Sequence, residues 1–253
     1  MKWIIRILVV LLVLVAALLW FAFSQMDRLV KTGIETATPP VVLTAVTVGE
    51  VKLSPFSGSG IIENFVIANP EGFSGPYALR IGKADVALDT SASNPEKIVL
   101  KHVHIIDPEI HLEMGLQGTN LKQIAKNAET FAMGEARPRA NAAAQAAPGA
   151  QAEKALKLQI NELLIRGARV STGTSLVQGA KAEATLPEIR LSDIGSGPEG
   201  ISPAALTAKV LSVLSTEAAK HGASGSLKNL LNGGDSGGGT GGLKDGMKKL
   251  FGK

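Results

Sequence analysis

The chain has 253 residues, 45% hydrophobic and only 4% aromatic, with a net charge of +4 and no cysteine. Without thiols there are no disulfides, no thiol nucleophile and no Cys-ligated metal. The basic residues are dispersed and few aromatics accompany them, so the concentrated basic stripe of a nucleic-acid binder is missing and no nucleic-acid partner is expected.

From Ile7 to Phe23 every residue is apolar. With Trp3, Ile4 and Ile5 ahead of it, broken only by Arg6, the stretch approaches the ~20 residues that cross ~30 Å of hydrocarbon. Arg6 lies near one end, where its side chain snorkels to the interface, and Trp3 and Trp20 lie where tryptophan favours the interface. A cleaved signal peptide is the competing reading, with Ala22, Phe23 and Ser24 as a poor cleavage site. The run is too long and too uniformly Leu and Val for it. Residues 1–24 therefore read as a single transmembrane anchor. Lys2 and Arg6 before the span favour a cytoplasmic N-terminus with the bulk of the chain translocated.

Residues 25–40 read as a juxtamembrane segment, helical to about Ile34 and ended by Pro39–Pro40. Residues 41–231 change to strand texture. Val42, Thr44, Val46 and Val48 are spaced two apart, and Ala84, Val86 and Leu88 alternate with charged neighbours. A helix is expected over Asn120–Met133, with Thr119 or Asn120 as its cap. Residues 134–155 are an Ala/Pro-rich mobile insert. Strands return at "LKLQINELLIRGARVST" and "AKAEATLPEIRLSDIG", where Pro187 belongs at an edge or bulge. Ser202 and Pro203 open a helix to about Lys220. Residues 232–242 form a Gly-rich linker.

The last piece, 243–253, is a basic amphipathic tail. Leu243, Met247, Leu250 and Phe251 fall on one helical face, with Lys244, Lys248 and Lys249 on the other. It reads as a membrane- or partner-contacting helix, or as a solvated tail too short to persist alone.

One short pattern recurs. In "IIENFVIANPEGF", "KHVHIIDPEIHLE" and "NELLIRGARVST", Phe65 lines up with Val103 and Leu163, Ile67 with Ile105 and Ile165, and Asn69 with Asp107 and Gly167. Each block is an amphipathic strand, a tight turn and another extended piece. One such unit cannot bury its apolar face alone; several side by side make a twisted, two-sided sheet. The fold class expected is α+β: an N-terminal transmembrane helix, then a curved, mostly antiparallel, groove-like sheet with two flanking helices. Eight to ten strands at ~4.8 Å spacing would extend about 40–50 Å.

Little here looks catalytic. His102 and His104 share one strand face, and Glu109, His111 and Glu113 share another. Met together, they would be a donor set for a divalent metal. Val103, Ile105, Ile110 and Leu112 alternate with them, so they read instead as the solvated side of amphipathic strands. His221 and the single Tyr77 have no visible partner. No phosphate-binding loop and no nucleophile–base arrangement stands out, so no catalytic residue, metal or cofactor is assigned and no enzyme is expected.

The run "GSGIIENFVIANPEGFSGPYALRIGKADVALD", then "IVLKHVHIIDPEIHLE" and "TNLKQIAKN", resembles the AsmA-like family of bacterial envelope proteins, as does the span ahead of them. The resemblance implies an inner-membrane anchor, a periplasmic sheet curved into an apolar groove, and a role in outer-membrane or lipid homeostasis. The groove lining would be Phe65, Ile67, Val103, Ile105, Leu163 and Ile165, unless these pack beneath the helices. The implied partners are the inner membrane and a phospholipid or other acyl lipid. The alternative is an envelope scaffold or assembly factor that binds a protein partner through a sheet edge or the basic tail.

Overall fold

Residues 25–115, 118–136, 156–174 and 182–231 are described in a computed structural model of the chain. The apolar run 7–23, nearly all of the 134–155 insert, the 232–242 linker and the tail with Leu243, Met247, Lys248, Lys249, Leu250 and Phe251 lie outside them. Among the described residues no helix is long and apolar enough to cross a membrane.

The described chain is α+β, with a curled, mostly antiparallel sheet. Helix α1 covers 25–37. The proline pair does more than end it: Pro39 and Pro40 start a second short helix, α2 (Pro39–Val42), because proline suits the first helical turn, where an N–H is unpaired anyway. Val42, expected in a strand, is therefore helical and fully buried. The chain leaves α2 through Leu43 in a left-handed conformation (φ 54°). Eleven strands follow: β1 (Val46–Thr47), β2 (Glu50–Ser54), β3 (Ser59–Ile67), β4 (Leu79–Leu88), β5 (Lys97–Ile106), β6 (Glu109–Gly115), β7 (Gly118–Thr119), β8 (Lys157–Arg166), β9 (Arg169–Thr174), β10 (Ala182–Thr185) and β11 (Ile189–Ile194). Helix α3 (Asn120–Ala136) runs three residues into the expected insert, and α4 (Pro203–Leu231) runs past Lys220. Ser202 caps α4 as expected, accepting from the Ala205 N–H at 3.2 Å.

The strands do not stand side by side as eleven. β1 and β2 pair with successive parts of β3, β5 and β6 with successive parts of β4, β8 and β9 run parallel to β5 and β6, and β11 and β10 pair with β8 and β9. They are six long strand lines, most of them broken once at the same level. At ~4.8 Å per line the sheet is only roughly 24 Å wide, about half the width expected from the sequence.

The common break is a crease with a defined cause. Asn64 (φ 53°) in β3, Asp107 (φ 49°) between β5 and β6, and Gly167 (φ 68°) between β8 and β9 are left-handed. Gly49 on one side and Pro187 on the other continue the same line. A single left-handed residue inverts the pleat, so the parity facing the core switches as the strand crosses the line. Above it Ile62, Ile105 and Ile165 face the core; below it Ile67, Ile110 and Val170 do. A second, shorter crease passes through Asp193 (φ 54°) and a register slip between Ala87 and Leu88.

The crease also corrects the alignment of the first repeat. Blocks two and three lie side by side in register, Val103 against Leu163 and Ile105 against Ile165. In block one, Ile62 rather than Ile67 lies across β4 from Ile105, through Ala84. The residue equivalent to Asp107 and Gly167 is thus Asn64; Asn69 lies beyond the strand.

Helices α3 and α4 close the apolar face. Leu121, Ile124, Ala125 and Ala128 of α3, with Ala204, Leu211, Leu214 and Ala218 of α4, join the strand residues in one continuous core. The sheet edge over Val48–Leu53, β2 and the two residues before it, is gripped by α1. Asp27 accepts from the Leu53 N–H (2.8 Å), Lys31 donates to the Gly49 carbonyl (2.9 Å) and Glu35 accepts from the Val48 N–H (2.8 Å). These three residues are four apart, so they share one helix face.

A Cβ at position 167 would run into the Asp107 carboxylate as well as sit at positive φ. Gly167→Ala is expected to lower unfolding free energy by about 1–3 kcal/mol, measured by urea denaturation of the full chain in mild detergent. An unchanged midpoint contradicts the crease geometry at this position.

Candidate functional site

The proposed groove lining is inside the core. Ile67, Ile105, Leu163 and Ile165 are buried, and Phe65 and Val103 are partly buried and packed against them. The six face one core to which α3 and α4 also contribute.

The roof leaves a furrow on its outside. Between α3 and α4 lies an open recess of about 700 Å³, floored by Ala125, Ala132, Ala205 and Ala208 and rimmed by Lys122, Lys126 and Lys209. A second recess of about 530 Å³ continues it past Lys122 and Ala125 toward Ser215, Ala219 and Lys220. Alanine on both helices lets the backbones approach without filling the space between the outer side chains.

Residues from the turn after β3, from β6 and from the start of α3 converge elsewhere, around the loop 69–75. Glu113, 3% exposed, holds this loop: Ser74 N–H donates to both of its oxygens (3.1 and 3.0 Å), Gly75 N–H donates at 2.7 Å and the Ser74 hydroxyl at 3.4 Å. Asn120, fully buried, ties the same loop to α3. Its amide donates to Asn69 Oδ1 (2.6 Å) and to the His111 carbonyl (2.7 Å), and its Oδ1 accepts from the N–H groups of Glu113 (3.1 Å) and Leu121 (2.8 Å). Asn69 closes the circuit by donating to the Gly75 carbonyl at 3.0 Å. Every polar atom of the Asn120 side chain is thereby used, as a buried amide requires. Glu113 was expected on a solvated face, but the loop covers it.

The remaining outer face carries ion-pair ladders. His102 Nε2 lies 3.0 Å from Asp85 Oδ1, and the His102 and His104 rings stack at 4.3 Å. Glu162, 3.7 Å from His104 Nε2, bonds Arg190 at 3.0 Å. Across the crease, Glu109 accepts from the Tyr77 hydroxyl (2.9 Å) and from Arg169 (3.0 Å). These two donors, with the nearby guanidinium charges, hold the Glu109 carboxyl below its usual range. Burial, then the Glu109 bond, raises the Tyr77 hydroxyl. Tyr77 thus has the partner that the sequence did not reveal, and His221 lies 3.7 Å from Glu217. The two histidine faces do not meet: His111 bonds Ser171 instead (3.0 Å). Among the described residues no three His, Asp or Glu side chains are grouped to hold a metal.

Comparison with protein-family models, curated proteins and solved structures returns no match.

Glu113→Gln replaces one acceptor oxygen by a donor facing the Ser74 and Gly75 amides. It is expected to destabilise the full chain by roughly 1–3 kcal/mol, whereas Glu129→Gln at the furrow changes stability by no more than about 0.5 kcal/mol. Equal unfolding midpoints for the two variants contradict the clamp.

Proposed function

We propose that this chain is a non-enzymatic, membrane-anchored AsmA-like envelope module that binds acyl lipid in outer-membrane or lipid homeostasis. Its N-terminus is cytoplasmic, and its sheet domain lies on the periplasmic side of a bacterial inner membrane. The observation that carries this reading is the single apolar face shared by Phe65, Ile67, Val103, Ile105, Leu163 and Ile165, closed by helices rather than by a second sheet. The seam between those helices carries an unfilled furrow on its outer side, floored by alanine and rimmed by lysine, a shape and charge suited to an acyl chain with an anionic headgroup. The buried or paired polar side chains of Glu113, Asn120, Glu109 and His102 bond a loop, the backbone and neighbouring side chains.

The alternative, a scaffold that captures a protein partner through a sheet edge, finds less support. The β2 edge is already occupied by Asp27, Lys31 and Glu35 of α1. The β11 edge is broken by the left-handed Asp193 and carries Arg190, both devices that discourage strand addition. That alternative then rests on the basic tail.

Native mass spectrometry of the full chain, extracted in mild detergent, tests the lipid reading. Phospholipid-mass adducts are expected to survive detergent release. Bare protein alone, under conditions that preserve lipid on a control membrane protein, overturns it.

A further inference from the structure

We propose that the β2–β3 hairpin tip is a second membrane contact, with Phe56 seated in the lipid interface beside the anchor. The inference rests on the anchored reading above and adds an orientation to it.

The order of contacts along α1 sets that orientation. Asp27 meets Leu53, Lys31 meets Gly49 and Glu35 meets Val48. The helix therefore runs antiparallel to β2, and its first residues lie beside the strand's end at Ser54. The apolar run in the sequence stops at Phe23, and α1 is helical from residue 25. The first turn of α1, which follows that run in the sequence, lies next to the 54–58 turn. The turn reads Ser-Pro-Phe-Ser-Gly, with no charge. Phe56 at its tip is 90% exposed, the most exposed of the large hydrophobic side chains described.

The turn is also built to hold its shape. Ser57 N–H donates to the Ser54 carbonyl (3.2 Å), the Ser57 and Ser59 hydroxyls bond at 2.7 Å, and the Leu88 N–H donates to the Gly58 carbonyl at 2.7 Å. A rigid turn presenting one aromatic ring loses little conformational entropy on insertion, and phenylalanine is among the apolar residues that interfacial segments bury at the boundary of headgroups and acyl chains. Leu29 on α1, 67% exposed, adds apolar area near the same end. The adjoining 89–93 loop brings one carboxylate, Asp89, which accepts from the Ser91 hydroxyl and the Ser91 and Ala92 N–H groups. That charge places the tip at the headgroup level rather than deeper. With α1 clamped to the sheet, two contacts at one end of the domain fix its tilt, where a lone helix would let it swivel.

The chain has no cysteine, so single thiols report one position each. Full-length Phe56→Cys, Leu12→Cys and Glu71→Cys, each carrying an environment-sensitive fluorophore, are reconstituted into vesicles of phosphatidylethanolamine and phosphatidylglycerol with a nitroxide lipid labelled near the headgroup or near the bilayer centre. Glu71 is exposed on the loop that bonds Thr44, toward the other end of α1. The Phe56 probe is expected to shift to the blue and lose emission mainly to the shallow nitroxide, the Leu12 probe mainly to the deep one, and the Glu71 probe to neither. An unquenched Phe56 probe beside a quenched Leu12 probe overturns the tip contact and leaves the anchor standing. If the Leu12 probe is also unquenched, the anchored reading fails with it. Equal quenching at Phe56 and Glu71 overturns the orientation.

Discussion

Inversion of the pleat at a single level is the constraint on which the rest of the structure depends. An unbroken strand through Asp107 would send either Ile105 or Ile110 to solvent, and the same choice arises for Ile165 and Val170. Burying each such side chain is worth about 1.5–3 kcal/mol. A non-glycine residue in the left-handed region costs roughly 1–2 kcal/mol, and less for Asn and Asp. The inversion therefore wins in each strand, and wins by more when neighbouring strands invert together and keep their hydrogen bonds. The result is one apolar face that continues around a bend and that two helices can cover.

The roof follows from that bend. Helix α3 enters it through Asn120, which bonds Asn69 and the β6 backbone while Glu113 holds the loop between them. The turn that ends β3, the buried carboxylate of β6 and the first residue of α3 therefore act as one unit. Both side chains are costly to bury unless fully bonded, and both are. The motif that looked like a degenerate strand signature thus has a structural use: it fixes where the roof begins. On the other flank Asp27, Lys31 and Glu35 tie α1 to the sheet edge from its first turn.

Much of this was legible in the residues and some was not. The strands, both long helices, the Ser202 cap and the break at Pro187 follow from periodicity and turn chemistry. The parallel registry of the second and third blocks was visible because the same spacing recurs sixty residues apart, Ile105 to Ile165. The first block was misaligned because Asn69–Pro70 imitates Asp107–Pro108 in letters, while the physical counterpart is Asn64, which has no proline to mark it. Strand width was overestimated because a strand line broken by a left-handed residue reads as two strands. The burial of Glu113 was hidden because alternation assigns a face, and only the fold shows that a loop lies on that face. Helix α2 was missed because Val41 and Val42 carry strand propensity, which the proline pair before them overrides.

The most direct measurement of the central claim is thiol accessibility across the crease, in a chain that has no thiol of its own. Single cysteines at positions 103–112 and 163–170 of the full chain would be labelled under native conditions. Ile105, Ile110, Ile165 and Val170 are predicted to be protected, with Ile106, Glu109, Arg166 and Arg169 labelling faster, so that the protected parity switches at Asp107 and Gly167. Protection that keeps strict two-residue alternation through those positions, leaving Ile110 and Val170 as reactive as Glu109, would contradict the account.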